Sequence, residues 1–242
     1  MQIEGRNPVL ESLKSSPQLI KKILLEKNIT RTNEKIKEII HISRKKHIKI
    51  EFIKKYLLDK KSKTKNHQGV IAIRMKKPII TFEELIKQKN PFLIYIREAL
   101  YEHNIGAIIR TAEILGLTGV ILPPKIKITS QIIRASMGAT EYINITNYNL
   151  FQAIKLAKEY NIETIAIERF PKAGKLTQAK FQLPVMLIIG GEDRALSQEI
   201  YKKVDRSIMI PMKGKINSLN MSVASAIVIY EVAKQTTLKS IK

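Results

Sequence analysis

Cysteine and tryptophan are absent from this chain of 242 residues, histidine occurs only four times, and 21 Asp+Glu face 43 Lys+Arg. Without cysteine there is no disulfide scaffold, thiolate zinc site or thiol nucleophile, and the composition suits a reducing compartment. His41, His47, His67 and His103 show no ligand spacing, so no metal is expected. No apolar run approaches the roughly 20 residues that cross a bilayer, and MQIEGRNPVL lacks the basic-then-apolar layout of a secretory leader. A cytoplasmic protein without membrane contact is the expectation. GxGxxG and GxxxxGK[ST] are missing too, which removes the common dinucleotide and nucleoside triphosphate sites.

What the chain has in excess is positive charge. A net charge of +22 exceeds what solubility requires and points to a polyanionic partner. Residues 1–90 hold 23 Lys+Arg against 9 Asp+Glu, whereas residues 91–242 hold 20 against 12. An AT-rich genome would raise lysine content, but not this uneven placement.

In the first third, GRNPVLESLKS reads as a helix, with Asn7 able to cap it and Pro8 suited to its first position. IKKILLEK and IKIEFI read as strands around the amphipathic helix TNEKIKEIIHISRK, and VIAIRM as a further strand. KKSKTKNHQG (60–69) is either a solvated loop or a phosphate-gripping one, since Lys, Ser, Thr and Asn all donate to phosphate oxygens. Residues 77–91 form a linker with a short helix between a domain at 1–76 and another at 92–242. Beyond it, apolar strands alternate with helices, the pattern of a parallel sheet covered on both faces, which binds ligands at the carboxyl ends of its strands.

Three strand-to-helix junctions carry unusual residues. In HNIGAIIRTAEILGLTG (103–119), Asn104 and Arg110 lie six residues apart and Arg110 sits among apolar neighbours, so it needs an anion, or a carboxylate such as Glu113 or Glu98. In VMLIIGGEDRALS (185–197) an apolar strand breaks at Gly190 and Gly191 before Glu192; this is a simple turn or a close backbone approach to a ligand. In IPMKGKINSLNMSVASAIVIYEVAKQ (210–235), Asn217, Ser218, Asn220 and Ser222 crowd the mouth of an apolar helix, more than capping alone requires.

Together NIGAIIRTAEILG, IIGGEDRALS and IPMKGKINSLNMSVA resemble, in order and spacing, the three motifs of the SpoU/TrmH branch of the SPOUT RNA methyltransferases. GRNPVLESL and NHQGVIA resemble the N-terminal substrate-binding domain of the bacterial 23S ribosomal RNA guanosine 2′-O-methyltransferases, so the likeness spans nearly the whole chain. The resemblance implies an α/β protein: a trefoil-knotted SPOUT domain that binds S-adenosylmethionine in the knot, preceded by a small α/β RNA-binding domain. It also implies a homodimer whose site draws on both chains. Gly190, Gly191 and Glu192 match the cofactor loop, and Ile210, Met212 and Leu219 the lining of the adenine and methionine parts. Asn104, Arg110, Ser218 and Asn220 match catalytic and substrate-facing positions, while Arg6 and Asn7 fall near the substrate nucleotide and Lys60, Lys61, Lys63 and Lys65 are expected to contact phosphates. The chain departs from the pattern at Tyr101, Glu102 and His103, where the family has an Asp-Pro lead, and at Asp193 and Ala195, where glycines are usual.

The activity so implied is methyl transfer to a ribose 2′-hydroxyl of ribosomal RNA, with Arg110 stabilising charge on the attacking oxygen. Transfer RNA methylation and a catalytically silent RNA-binding assembly factor are the alternatives. On the last helix, Val223, Ala226, Ile227 and Tyr230 make an apolar face suited to a dimer interface or to core packing.

Overall fold

The computed structural model describes residues 1–29, 33–97, 101–170, 172–190, 196–216 and 218–238. Contacts group them into two units: Met1–Pro78 with Ile128–Tyr142, and Ile79–Lys127 with Ile143–Lys242.

In the first unit the alternation of apolar residues along strand β2 (Ile20–Glu26) separates two small cores. Ile23 and Leu25 join Val9 and Leu13 of helix α1 (Arg6–Ser15) and Ile36 and Ile39 of α2 (Glu34–Lys45), while Leu24 packs with Leu58 of α3 (Lys55–Lys61) and Ile71. The sheet runs β1 (Gln2–Glu4), β4 (Val70–Arg74), β2, β3 (Lys49–Ile53); β2 and β3 are parallel and the other pairs antiparallel. Two expectations need correction. Helix α1 is capped by Gly5, at φ 97° with no side-chain cap, and not by Asn7. Lys60 and Lys61 end α3 and are not part of a loop.

Segment Ile128–Tyr142 completes this unit. Thr129 caps helix α6 (Ser130–Ala135) by accepting from the Ile132 amide, Ile133 enters the core, and Ser130 Oγ donates to the Gln2 carbonyl at 2.6 Å. Gly138, at φ 99°, passes so close to α1 that a Cβ there would meet Glu11 Cβ at 2.8 Å. A buried ion pair closes the junction: Arg74 Nη1 donates to Glu141 Oε2 at 2.6 Å and to Ser12 Oγ at 2.9 Å.

The second unit is a seven-stranded parallel sheet in the order β7 (Asn144–Asn147), β6 (Gly119–Leu122), β5 (Phe92–Ile96), β10 (Val185–Ile189), β8 (Glu163–Ile167), β11 (Arg206–Met209), β9 (Gly174–Lys175). Every residue of β5, β6 and β10 is buried, which is why these strands read as unbroken apolar runs. One face packs Leu93, Tyr95, Met186 and Ile188 against α4 (Phe82–Ile86), α7 (Leu150–Glu159) and α8 (Gln198–Lys203). Elsewhere α5 (Glu102–Ile114) packs on α9 (Met221–Gln235), burying Ile108, Ile109 and Ala112 of one and Val228, Ile229 and Val232 of the other. The two-residue strand β9 and helix α3 are not foreseen by the periodicity.

Candidate active site

The register of the parallel sheet sets the site's frame. Ile96 of β5 pairs with Ile189 of β10, Ile189 with Ile167 of β8, and Ile167 with Ile208 of β11. The carboxyl ends of these four strands therefore share one edge, about 14 Å from first to last at the usual strand spacing. The three motif junctions follow β5, β10 and β11 on that edge.

After β5, helix α5 begins with Asn104 in its first turn, only 2% exposed. After β11, the exposed stretch 211–216 leads to Asn220, the cap of α9. Asn220 Oδ1 accepts from the Ser222 amide at 2.9 Å, the Val223 amide at 3.4 Å and Ser222 Oγ at 2.6 Å. Its Nδ2 donates to Asn104 Oδ1 at 3.4 Å. One amide side chain thus satisfies the orphan donors of a helix start and joins the first motif to the third. The Ser222 hydroxyl thus adds its own hydrogen bond to the capping oxygen.

Arg110 lies six residues beyond Asn104, about 9 Å along the axis of α5. It is exposed, not buried among its apolar neighbours, and among the described residues it makes no ion pair with Glu113. The helix turns Ile105, Ile108 and Ile109 inward and leaves this guanidinium exposed, without a hydrogen-bond partner among the described residues. Ser218, Leu219 and Met212 are exposed and Ile210 is half-buried. Asn217, Gly191, Glu192, Asp193, Ala195 and Glu98 lie outside the described residues.

Gly190 is buried at the end of β10, and a Cβ there would meet Glu168 Oε2 at 2.9 Å and Leu196 Cγ at 3.5 Å. The missing side chain leaves the backbone close to the mobile end of the Glu168 side chain. Glu168 follows β8 on the same edge; its Oε1 accepts from the Arg169 amide at 3.0 Å and its Oε2 from the Leu196 amide at 3.3 Å. The sequence signal for Glu168, a single acid after the apolar run TIAI, is too common to single out. A cavity of about 700 Å³ is lined by Phe170, Lys175, Tyr201, Arg206 and Ile208.

The loop between α3 and β4 is organised from inside. Glu4 is fully buried and accepts from Ser62 Oγ at 2.6 Å, the Lys63 amide at 2.6 Å and Thr64 Oγ1 at 2.5 Å. Burial would push its carboxyl up, but these hydrogen bonds outweigh burial and hold it below the usual carboxylate range. Ser62 and Thr64 are thereby committed to Glu4 and are not phosphate donors, whereas Lys60, Lys61, Lys63 and Lys65 all point into solvent. Arg6 and Asn7 open α1, half-buried. His67 is buried; its Nδ1 accepts from the Gly69 amide at 2.9 Å and its Nε2 faces Asp59 Oδ1 at 2.7 Å. Among the described residues there is no cluster that could hold a metal ion, and no helix is long and apolar enough to cross a membrane.

Residues 91–230 match the profile of the SpoU rRNA methylase family, and residues 2–78 that of the RNA 2′-O ribose methyltransferase substrate-binding domain. An uncharacterised tRNA/rRNA methyltransferase of Archaeoglobus fulgidus is 34% identical over 89% of this chain and 96% of its own length. YacO of Bacillus subtilis, assigned to the TrmH family of tRNA/rRNA methyltransferases, is 30% identical over 96% and 94%. The crystal structure of the SpoU methyltransferase AviRb from Streptomyces viridochromogenes, in complex with AdoMet, superposes with a TM-score of 0.81 over 97% of this chain and 89% of that one, at 18% identity.

Proposed function

Because the chain belongs to the SpoU rRNA methylase family, we propose that it transfers a methyl group from S-adenosylmethionine to a ribose 2′-hydroxyl of ribosomal RNA in the cytoplasm, with a guanosine of 23S ribosomal RNA as the target. The observation that carries this reading is the contact between Asn220 and Asn104, which joins two motifs distant in sequence on the ligand-binding edge of the sheet.

The residues present fit the cofactor. Gly190 is a close-approach position, Glu168 offers a carboxylate beside it to a cationic ligand, and Ile210, Met212 and Leu219 offer apolar surface for an adenine and a methionine chain. Gly191 and Glu192 complete the loop in this reading. S-adenosylmethionine supplies an already activated methyl group. The protein's own task is to orient the ribose and stabilise charge on its oxygen. Asn104 and Asn220 hold the two junctions in register, Ser218 faces the nucleotide, and Arg110 meets the developing negative charge with a guanidinium that keeps its proton throughout.

Arg110 has room to act on a nucleotide held partly by a second copy of the chain. Val223, Ile227 and Tyr230 recur at helical spacing on α9 and are 48%, 39% and 54% exposed. In this reading a second copy covers that stripe to make a homodimer, and the C-terminal segment threads as the trefoil knot of the family.

Mapping 2′-O-methyl groups in ribosomal and transfer RNA from cells with and without the protein tests the assignment. The expected loss is at one ribosomal guanosine. Loss from transfer RNA alone would move the substrate, and no change in either RNA would remove the enzymatic reading.

A further inference from the structure

We propose that Lys35 and Arg134, together with Arg6, form a phosphate-binding site for the RNA backbone on the first unit, at the turn Asn66–Gln68. This inference rests on the RNA reading given above. Arg134 falls inside the stretch matched by the methylase profile, yet its guanidinium belongs to the first unit.

Arg6 and Arg134 meet on one turn, and Lys35 joins them through Asn7, the neighbour of Arg6. Arg6 Nε donates to the Gln68 carbonyl at 3.1 Å, and the Arg6 amide to Gln68 Oε1 at 3.1 Å. Arg134 Nη1 donates to the Asn66 carbonyl. A Cβ on Gly5 would meet Arg134 Nη1 at 3.2 Å and Gln68 Oε1 at 3.3 Å, so Arg134 lies directly over the start of α1. Lys35 Nζ, from the first turn of α2, donates to Asn7 Oδ1.

Among the described residues none of the three cations has a carboxylate partner. Of the acids nearby, Glu34 pairs with Lys37, Glu38 with Lys14, Glu4 with the Ser62–Thr64 loop, Glu11 with the Tyr142 hydroxyl at 2.6 Å and Asp59 with His67 inside the turn itself, while Glu26 Oε2 lies 3.4 Å from where a Cβ on Gly69 would stand. Each guanidinium gives one of its five donors to a backbone carbonyl, and among the described residues the other donors have no partner. Charges held in place by neutral acceptors, outside any direct ion pair among the described residues, are pre-organised for an anion that brings its own charge. A phosphodiester suits the site, since it accepts two parallel N–H bonds from an arginine fork.

The test is fluorescence anisotropy of a fluorescein-labelled RNA stem-loop against the full chain over a salt series. At physiological salt R134Q and K35Q are each expected to weaken binding about fivefold and to lower the salt slope by about 0.7–0.9, whereas R134K keeps the slope. Unchanged affinity and slope in R134Q and K35Q, while alanines at Lys60, Lys61, Lys63 and Lys65 weaken binding, would overturn this site and leave the RNA reading standing. Equal losses in R134K and R134Q, with a lowered melting temperature in both, would reduce Arg134 to a structural role and overturn it as well. Tight binding of inorganic pyrophosphate alone, lost in R134Q with RNA affinity intact, would reassign the site to a small anion. Absence of any salt-dependent RNA binding by the unaltered chain would sink both proposals.

Discussion

Asn220 donates to Asn104 across 3.4 Å while its own carbonyl oxygen caps α9. The two jobs use different atoms of one side chain, so substitution separates them. Asn220→Asp keeps the capping oxygen and loses the donor. We expect its melting temperature to be retained and its methyl transfer to fall about a hundredfold. Asn220→Ala loses both, costing about 1 kcal/mol and about 2–4 °C in Tm. Full turnover in the Asp variant would remove Asn220 from the site.

Arg110 is exposed and makes no ion pair among the described residues, so its replacement leaves stability unchanged. Arg110→Lys keeps the charge and loses the planar fork; we expect kcat to drop about a hundredfold at unaltered Tm. Near-normal single-turnover kinetics in that variant would contradict the role assigned to the guanidinium.

Glu4 organises its loop as a carboxylate. Because its native value is lowered from 4.5, its contribution is complete above that pH and is lost as acidification passes through the lowered value. Glu4→Gln places an amide against donors and should cost about 1–3 kcal/mol. Hydrogen exchange at the Lys63 and Thr64 amides reads this directly; full protection in the Gln variant would refute it.

The Arg74 and Glu141 pair is 3% and 0% exposed. Removing one partner strands a buried charge, so Glu141→Gln is expected to cost about 3–5 kcal/mol, while replacing both by apolar residues of similar volume costs less. Thermal unfolding of the single and double variants distinguishes the two. Equal losses would mean that the segment Ile128–Tyr142 is held by packing and not by this pair.

Alanine at Lys60, Lys61, Lys63 and Lys65 tests the basic surface beside that loop. Each lost phosphate contact lowers the salt slope of RNA binding by about 0.7–0.9. A slope unchanged after all four replacements would leave these lysines as ordinary solvated charge.

Local physics made much of this protein legible in its sequence. Unbroken apolar runs such as FLIYI and VMLII require strands buried on both faces, and the helices between them require a parallel sheet, which in turn puts the motif junctions on the carboxyl edge. Side-chain direction and partner choice were decided only in three dimensions. Arg110 stands among apolar residues in the sequence yet faces solvent, and Ser62, in a segment whose composition suits either a solvated loop or a phosphate-gripping one, serves Glu4. Helical spacing tells which residues share a face, but not which neighbour covers it. Arg134 and Glu141 extend the point, since no periodicity signals that a segment between two strands of one sheet completes the core of another unit. Such placement is fixed by contacts between residues more than 60 positions apart, and these exist only once the chain has folded.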